Sequence, residues 1–96
     1  MKGLSISHGV RTKLDHKTPP VTEKEIAQCF DNKCGVNLLD DREDNQTDPP
    51  TLWFIAETNR GRLLKIVYIF KNGTCHIKTA YDPNELEIAL YDKYGK

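Results

Sequence analysis

The chain lacks the features that would mark a membrane-spanning, secreted or overtly nucleic-acid-binding protein. No apolar run approaches the roughly 20 residues that a helix needs to cross a bilayer. It has no charged-then-apolar leader. Its three cysteines, Cys29, Cys34 and Cys75, are an odd number without a C-x-x-C pair, which argues against a disulfide framework or a thiolate metal site. Net charge is also missing: 14 Lys and Arg balance 14 Asp and Glu, whereas nucleic-acid binders are usually visibly basic. These absences predict a cytoplasmic protein with its cysteines as small apolar fillers, no membrane partner and no cofactor.

What is present is uneven. The 96 residues suit a single domain, 1–96. A chain of this size buries somewhat more than about 60% of its extended surface, enough for one core but not for a large enclosed cavity. Mean hydropathy is −0.62, so the apolar residues must be concentrated, and most fall between Leu52 and Tyr94. The segment 40–48 is acidic. The stretch from Arg60 to Lys78 carries Arg60, Arg62, Lys65, Lys71 and Lys78 with no carboxylate.

Local signals order the elements. Ser7 suits the cap of a short helix in which Val10 and Leu14 repeat one turn apart, and Pro19-Pro20 ends it. Thr22 and Glu25 form a capping box before a helix burying Ile26, Cys29 and Phe30, so 7–34 reads as helical. Residues 36–39 read as a strand and 40–50 as an acidic, Pro-bounded loop. Residues 51–81 read as a three-stranded meander with turns at Arg60-Gly61 and Asn72-Gly73. Asp82 as cap and Pro83 at the first helical position announce a helix over 83–94. Leu86, Leu90 and Tyr94 form its expected buried stripe, widened by Ala89 and Tyr91. The predicted fold is α+β: an antiparallel meander sheet of three to four strands, with the N-terminal helices and the C-terminal helix packed on one face.

Strand alternation then assigns faces. A reversal centred between Arg60 and Gly61 sets Trp53 opposite Tyr68 as a core aromatic pair, with Ile55, Leu64, Ile66, Phe70, Ile77 and Tyr81 on the same core face. The other face collects Leu52, Phe54, Ala56, Lys65, Val67, Ile69, His76, Lys78 and Ala80. A surface so mixed in apolar and cationic groups suggests a ligand or partner site.

The run TDPPTLWFIAET, followed by GRLLKIVYIF and IKTAYDPNELEIALYDKYG, resembles a family of small bacterial proteins. Its members often carry the label ADP-ribosyl-(dinitrogen reductase) hydrolase. The similarity spans about residues 22–95. A chain this short cannot build the large helical, metal-holding hydrolase of that name. More distantly, element order and texture are similar to BrnT-type toxins of the RelE-like superfamily. That resemblance implies a RelE/BrnT-like fold, a toxin-type endoribonuclease or an inactive derivative of one, and an antitoxin protein as partner.

Metal-independent RNA cleavage needs a base for the 2′-hydroxyl, an acid for the leaving oxygen and cations for the phosphate. His76 titrates in the right range for acid or base. Lys65 and Lys78 would hold the phosphate as the other catalytic residues, with Arg60 and Arg62 binding substrate and Phe54 stacking a base. The carboxylates Asp40, Asp41, Glu43, Asp44 and Asp48 fit no calcium-loop spacing, so no metal is expected. Cys75 and His76 point to opposite faces and cannot form a dyad. The alternative reading is a non-catalytic interaction module that forms a homodimer or docks a partner through the mixed face. Net neutrality favours it, and it competes evenly with the RNA-cleaving one.

Overall fold

Leu4 and Ile6 alternate with Gly3 and Ser5, and this four-residue pattern forms a strand that the sequence reading did not include. The computed structural model describes residues 3–39 and 49–95, so the acidic segment 40–48 lies outside the described residues. Strand β1 (Gly3–Ile6) leads into helix α1 (His8–Asp15), where the Ser7 hydroxyl accepts from the Val10 amide at 3.3 Å. Helix α2 (Glu23–Asn32) opens with the expected reciprocal box between Thr22 and Glu25. Strands β2 (Leu38–Leu39), β3 (Thr51–Glu57), β4 (Leu63–Lys71) and β5 (Thr74–Tyr81) precede helix α3 (Glu85–Tyr94).

The strands form one sheet in the order β1-β5-β4-β3-β2. β2 to β5 are antiparallel neighbours, whereas β1 runs parallel to β5. The sheet is therefore mixed rather than a pure antiparallel meander.

The two turns behave differently. At the second, Asn72 and Gly73 both have positive φ, 54° and 77°, in a two-residue reversal with Lys71 opposite Thr74. The first is longer by one residue. Thr58 donates its amide to the Arg62 carbonyl at 2.8 Å, and Gly61 has φ +84°. This is a three-residue loop with glycine in the left-handed position. The reversal is thus centred on Arg60, and Glu57 faces Leu63. Trp53 consequently faces Val67, Phe54 faces Ile66 and Ile55 faces Lys65. One residue of slip exchanges the two faces of β3 relative to β4. A second correction comes from a bulge in β5: Tyr68 faces Ile77 but Val67 faces Thr79, which leaves Lys78 as the extra residue.

Both faces consequently bear helices. Phe54, Ala56, Leu64, Ile66, Tyr68, Ile77 and Ala80 lie beneath α1 and α2, with the Phe30 ring edge-on to Phe54 at 4.9 Å and to Tyr68 at 5.2 Å. Trp53, Ile55, Lys65, Val67 and Tyr81 share the other face. There α3 crosses, its Tyr91 ring 5.8 Å from Trp53. The expectation that all helices cover one face, and that Trp53 and Tyr68 pair, is corrected by the same slip.

α3 itself starts two residues later than the Asp82 signal suggests. Asn84 is the cap, accepting from the Glu87 amide at 2.8 Å, while Glu87 accepts from the Asn84 amide at 3.0 Å. This phase turns Glu87, Ile88 and Tyr91 toward the sheet. It leaves Leu86 68%, Leu90 39% and Tyr94 58% exposed, contrary to the expected buried stripe, of which Tyr91 is buried as expected.

Candidate functional site

Lys65 lies in the middle of the sheet face that α3 covers and is only 7% exposed. Its Nζ donates to Glu87 Oε2 at 2.7 Å and sits 4.4 Å from the centre of the Trp53 ring. The Tyr81 hydroxyl donates to the same oxygen at 2.6 Å. Burial pushes the Glu87 carboxyl up, but the hydrogen bonds from Lys65, Tyr81 and the Asn84 amide outweigh it and hold it below its ordinary value. Burial also raises Tyr81, and its bond to Glu87 adds to this. Lys65 is therefore the ionic anchor that ties α3 to the sheet.

The other predicted site residues are not gathered around it. His76 is exposed and faces Ile69, four residues along β4 from Lys65, or about 13 Å of strand rise. Lys78 occupies the bulge. Phe54 is fully buried on the opposite face against Phe30 and is closed to any base. Arg62 is a clasp: Nε donates to Asp82 at 2.9 Å, Nη1 to the Pro20 carbonyl at 2.8 Å and to Glu25 at 3.2 Å, and Nη2 to the Pro19 carbonyl at 2.9 Å. It joins the first hairpin to the loop before α2 and to the end of β5. Arg60 is exposed at the hairpin tip, beside a shallow hollow lined by Thr22, Lys24, Glu25, Gln28 and Thr58. Lys65 and His76 keep one face, with His76 opposite Ile69 as expected but well along the sheet from Lys65; the bulge takes Lys78 from its expected place opposite Val67, and the slip takes Phe54 to the other face.

The cysteines also separate by environment. Burial, followed by the nearby Glu25 charge, pushes the Cys29 thiol up to about 12, which makes it a core filler. Cys75 is buried and His76 exposed, on opposite sides of β5. Cys34 is exposed.

The best-formed concavity is an open cleft of about 640 Å³ beside α3, where the end of α2, the end of β3 and the first hairpin meet. Ile55, Leu63, Ile88 and Tyr91 supply its apolar walls, and Asn32, Glu57 and Asp92 supply polar groups. The Asn32 amide donates to the Glu57 carbonyl at 3.0 Å and to the Asn59 side chain at 2.9 Å, which fixes that wall. Tyr91 is held by its hydroxyl, which donates to the Val36 carbonyl at 2.9 Å. Among the described residues, no group of three or more His, Cys, Asp or Glu is placed to hold a metal, and no helix is long and apolar enough to cross a membrane.

The sequence reading passed over Glu57, Glu87 and Asp92. A signal for Glu87 was available: Asn84-x-x-Glu87 is itself a capping-box spacing. Glu57 and Asp92 lie far apart in sequence and carry no local signature. Comparison with protein-family models, with curated proteins and with solved structures gives no match in any of the three.

Proposed function

We propose that this chain is a non-catalytic interaction module, built on a RelE- or BrnT-type scaffold, that pairs with a second copy through the outward flank of α3. The observation that carries this is the stripe of Leu86, Leu90 and Tyr94, large apolar side chains spaced one turn apart and left exposed while Glu87, Ile88 and Tyr91 face the sheet. An exposed apolar stripe of this kind marks an association surface. Self-pairing fits its layout. Two α3 helices meeting antiparallel about Leu90 set Leu86 of one copy against Tyr94 of the other. The acidic first turn of each copy then lies at the same end as the last turn of the other, which carries Lys93, an arrangement a twofold axis repeats. The strand, two helices, meander and helix in order support the scaffold kinship. The surface differs from the mixed sheet face expected from sequence, much of which α3 covers.

RNA cleavage is less well supported, because Lys65 is engaged beneath α3, Phe54 is buried and Arg62 is committed to four partners. Sedimentation equilibrium tests the proposal. The unaltered chain is expected to be dimeric, and Leu90→Asp monomeric with unchanged circular dichroism. A monomer at every concentration overturns it, as does cleavage of bulk RNA by purified protein, with or without chelator.

A further inference from the structure

The apolar stripe of α3 is too small to hold two copies together by itself. Taking about 200 Å² for a large apolar residue fully open to solvent, Leu86, Leu90 and Tyr94 at 68%, 39% and 58% exposure offer roughly 300 Å². A stable interface covers about 800 Å² on each partner. Some 57% of that is apolar, or about 450 Å². The stripe therefore needs an apolar neighbour on its own side of the molecule.

The other exposed large apolar side chains among the described residues narrow to one. Leu63 lines the cleft with Ile88 and Asp92, which at 100° per residue lie on the other flank of α3 from Leu86 and Leu90. Leu39 stands opposite Leu52, and Phe70 opposite Cys75, so both belong to the sheet face beneath α1 and α2. Val36 remains, at 62% exposure. Both of its backbone groups are spent on the far end of α3. Its amide donates to the Gly95 carbonyl at 2.7 Å, and its carbonyl accepts from the Tyr91 hydroxyl at 2.9 Å. The end of the helix and the segment that carries Val36 are thus held as one surface.

We infer that Val36 completes the self-pairing surface and receives Leu86 of the second copy, an inference that rests on the self-pairing reading above. In the antiparallel arrangement about Leu90, Leu86 of one copy arrives at Tyr94 of the other. The next residue beyond Tyr94 is Gly95, to which Val36 is bonded. Leu86, the most exposed member of the stripe, therefore enters a corner between Tyr94 and Val36 instead of lying on an open rim. A twofold axis makes this contact twice. On the same scale Val36 adds about 100 Å² per copy, which brings the apolar area to about 400 Å² and close to what a stable interface needs.

The test is an isotope-filtered nuclear Overhauser experiment on an equal mixture of labelled and unlabelled full chain, refolded together. Within one copy Leu86 and the Gly95 end, where Val36 sits, are separated by about 13 Å of helix rise, too far for a cross-peak. Cross-peaks between the methyl groups of Val36 and Leu86 across the label boundary are expected, and this measurement needs no variant. Val36→Asp keeps both backbone bonds and is expected to raise the dissociation constant in sedimentation equilibrium about tenfold. Leu63→Asp, on the other flank, is expected to leave it unchanged. A dimer without the Val36–Leu86 cross-peak overturns the inference and leaves self-pairing standing, as does Val36→Asp pairing as tightly as the native chain or Leu63→Asp weakening it equally. A monomer at every concentration overturns both.

Discussion

Lys65 shows how a single side chain changes meaning with its surroundings. As a letter in the basic stretch 60–78 it reads as a phosphate ligand. In the fold it is buried to 7% exposure and held by Glu87. Its charge was legible; its burial was not, because burial depends on which residue of β3 lies opposite and on where α3 begins. Removing the cation strands the Glu87 carboxylate beneath the helix. Lys65→Met should therefore lose about 2–3 kcal/mol, somewhat under the usual cost of breaking a fully buried pair. The double variant Lys65→Met with Glu87→Gln should lose less than Lys65→Met alone, since no charge is left unpaired. Urea unfolding of the native chain, the two single variants and the double variant checks this, and simple additivity would contradict it. The pH dependence has a definite sign. Glu87 titrates below its ordinary value in the folded state, so its contribution is fully present above the unfolded carboxyl pKa and disappears as pH falls through the lower folded one. The stability gap between the native chain and Glu87→Gln should be flat from about pH 5 to 8 and close below about pH 4.

Among the elements, α3 departs furthest from its sequence signals. Asp82-Pro83 is a good helix start and Asn84 an equally good one. The observed inward set of Glu87, Ile88 and Tyr91 is turned about 100° around the helix from the expected stripe of Leu86, Leu90 and Tyr94, and only Tyr91, from the margin of that stripe, is buried as expected. Periodicity alone could not choose, because apolar residues occur on both sides of this helix. The first hairpin was ambiguous for a similar reason: Arg60-Gly61 supports either a two-residue or a three-residue loop, and the two differ by one residue in register. The second turn was legible, since Asn72-Gly73 admits one tight geometry, but the bulge at Lys78 further along that hairpin carries no local signal. The far end of α3 is fixed by backbone proximity. The Val36 amide donates to the Gly95 carbonyl at 2.7 Å, and a Cβ on Gly35 would collide with that same carbonyl oxygen and with the Tyr91 hydroxyl. Neither neighbour can yield cheaply, because one is backbone and the other is bonded to Val36. Gly35→Ala is expected to cost about 1–3 kcal/mol, the usual range for overpacking. It should also reduce the near-ultraviolet signal of Trp53, against which Tyr91 packs. An unchanged melting temperature would show that the end of α3 is not held there.

At the scale of the whole molecule, the least legible feature is the closure of the sheet by the first residues of the chain. Four residues with two apolar side chains are too short a pattern to identify a strand. Their partner, β5, also lies some 70 positions away in sequence (Gly3 opposite Thr74). Nothing local encodes a parallel pairing of that span; it exists because β5 would otherwise be an uncovered edge. Leu4 and Ile6 pack against the core cluster beside Cys75 and Ile77, their partners in register. Deleting residues 1–6 removes this half-buried pair, worth about 2–4 kcal/mol by apolar area. It also exposes the donors and acceptors along one side of β5. A domain of this size has only about 5–15 kcal/mol of total stability, so the loss is large, yet it falls short of unfolding the chain outright. The truncated protein should therefore keep its helical circular dichroism, unfold at lower urea and scatter light on warming through association at the bared edge. Because the bared edge is the backbone of β5 and not the apolar flank of α3, the Leu90→Asp change should not suppress this association. If it does, then β1 and α3 belong to one surface, and the sheet edge is not what drives the aggregation.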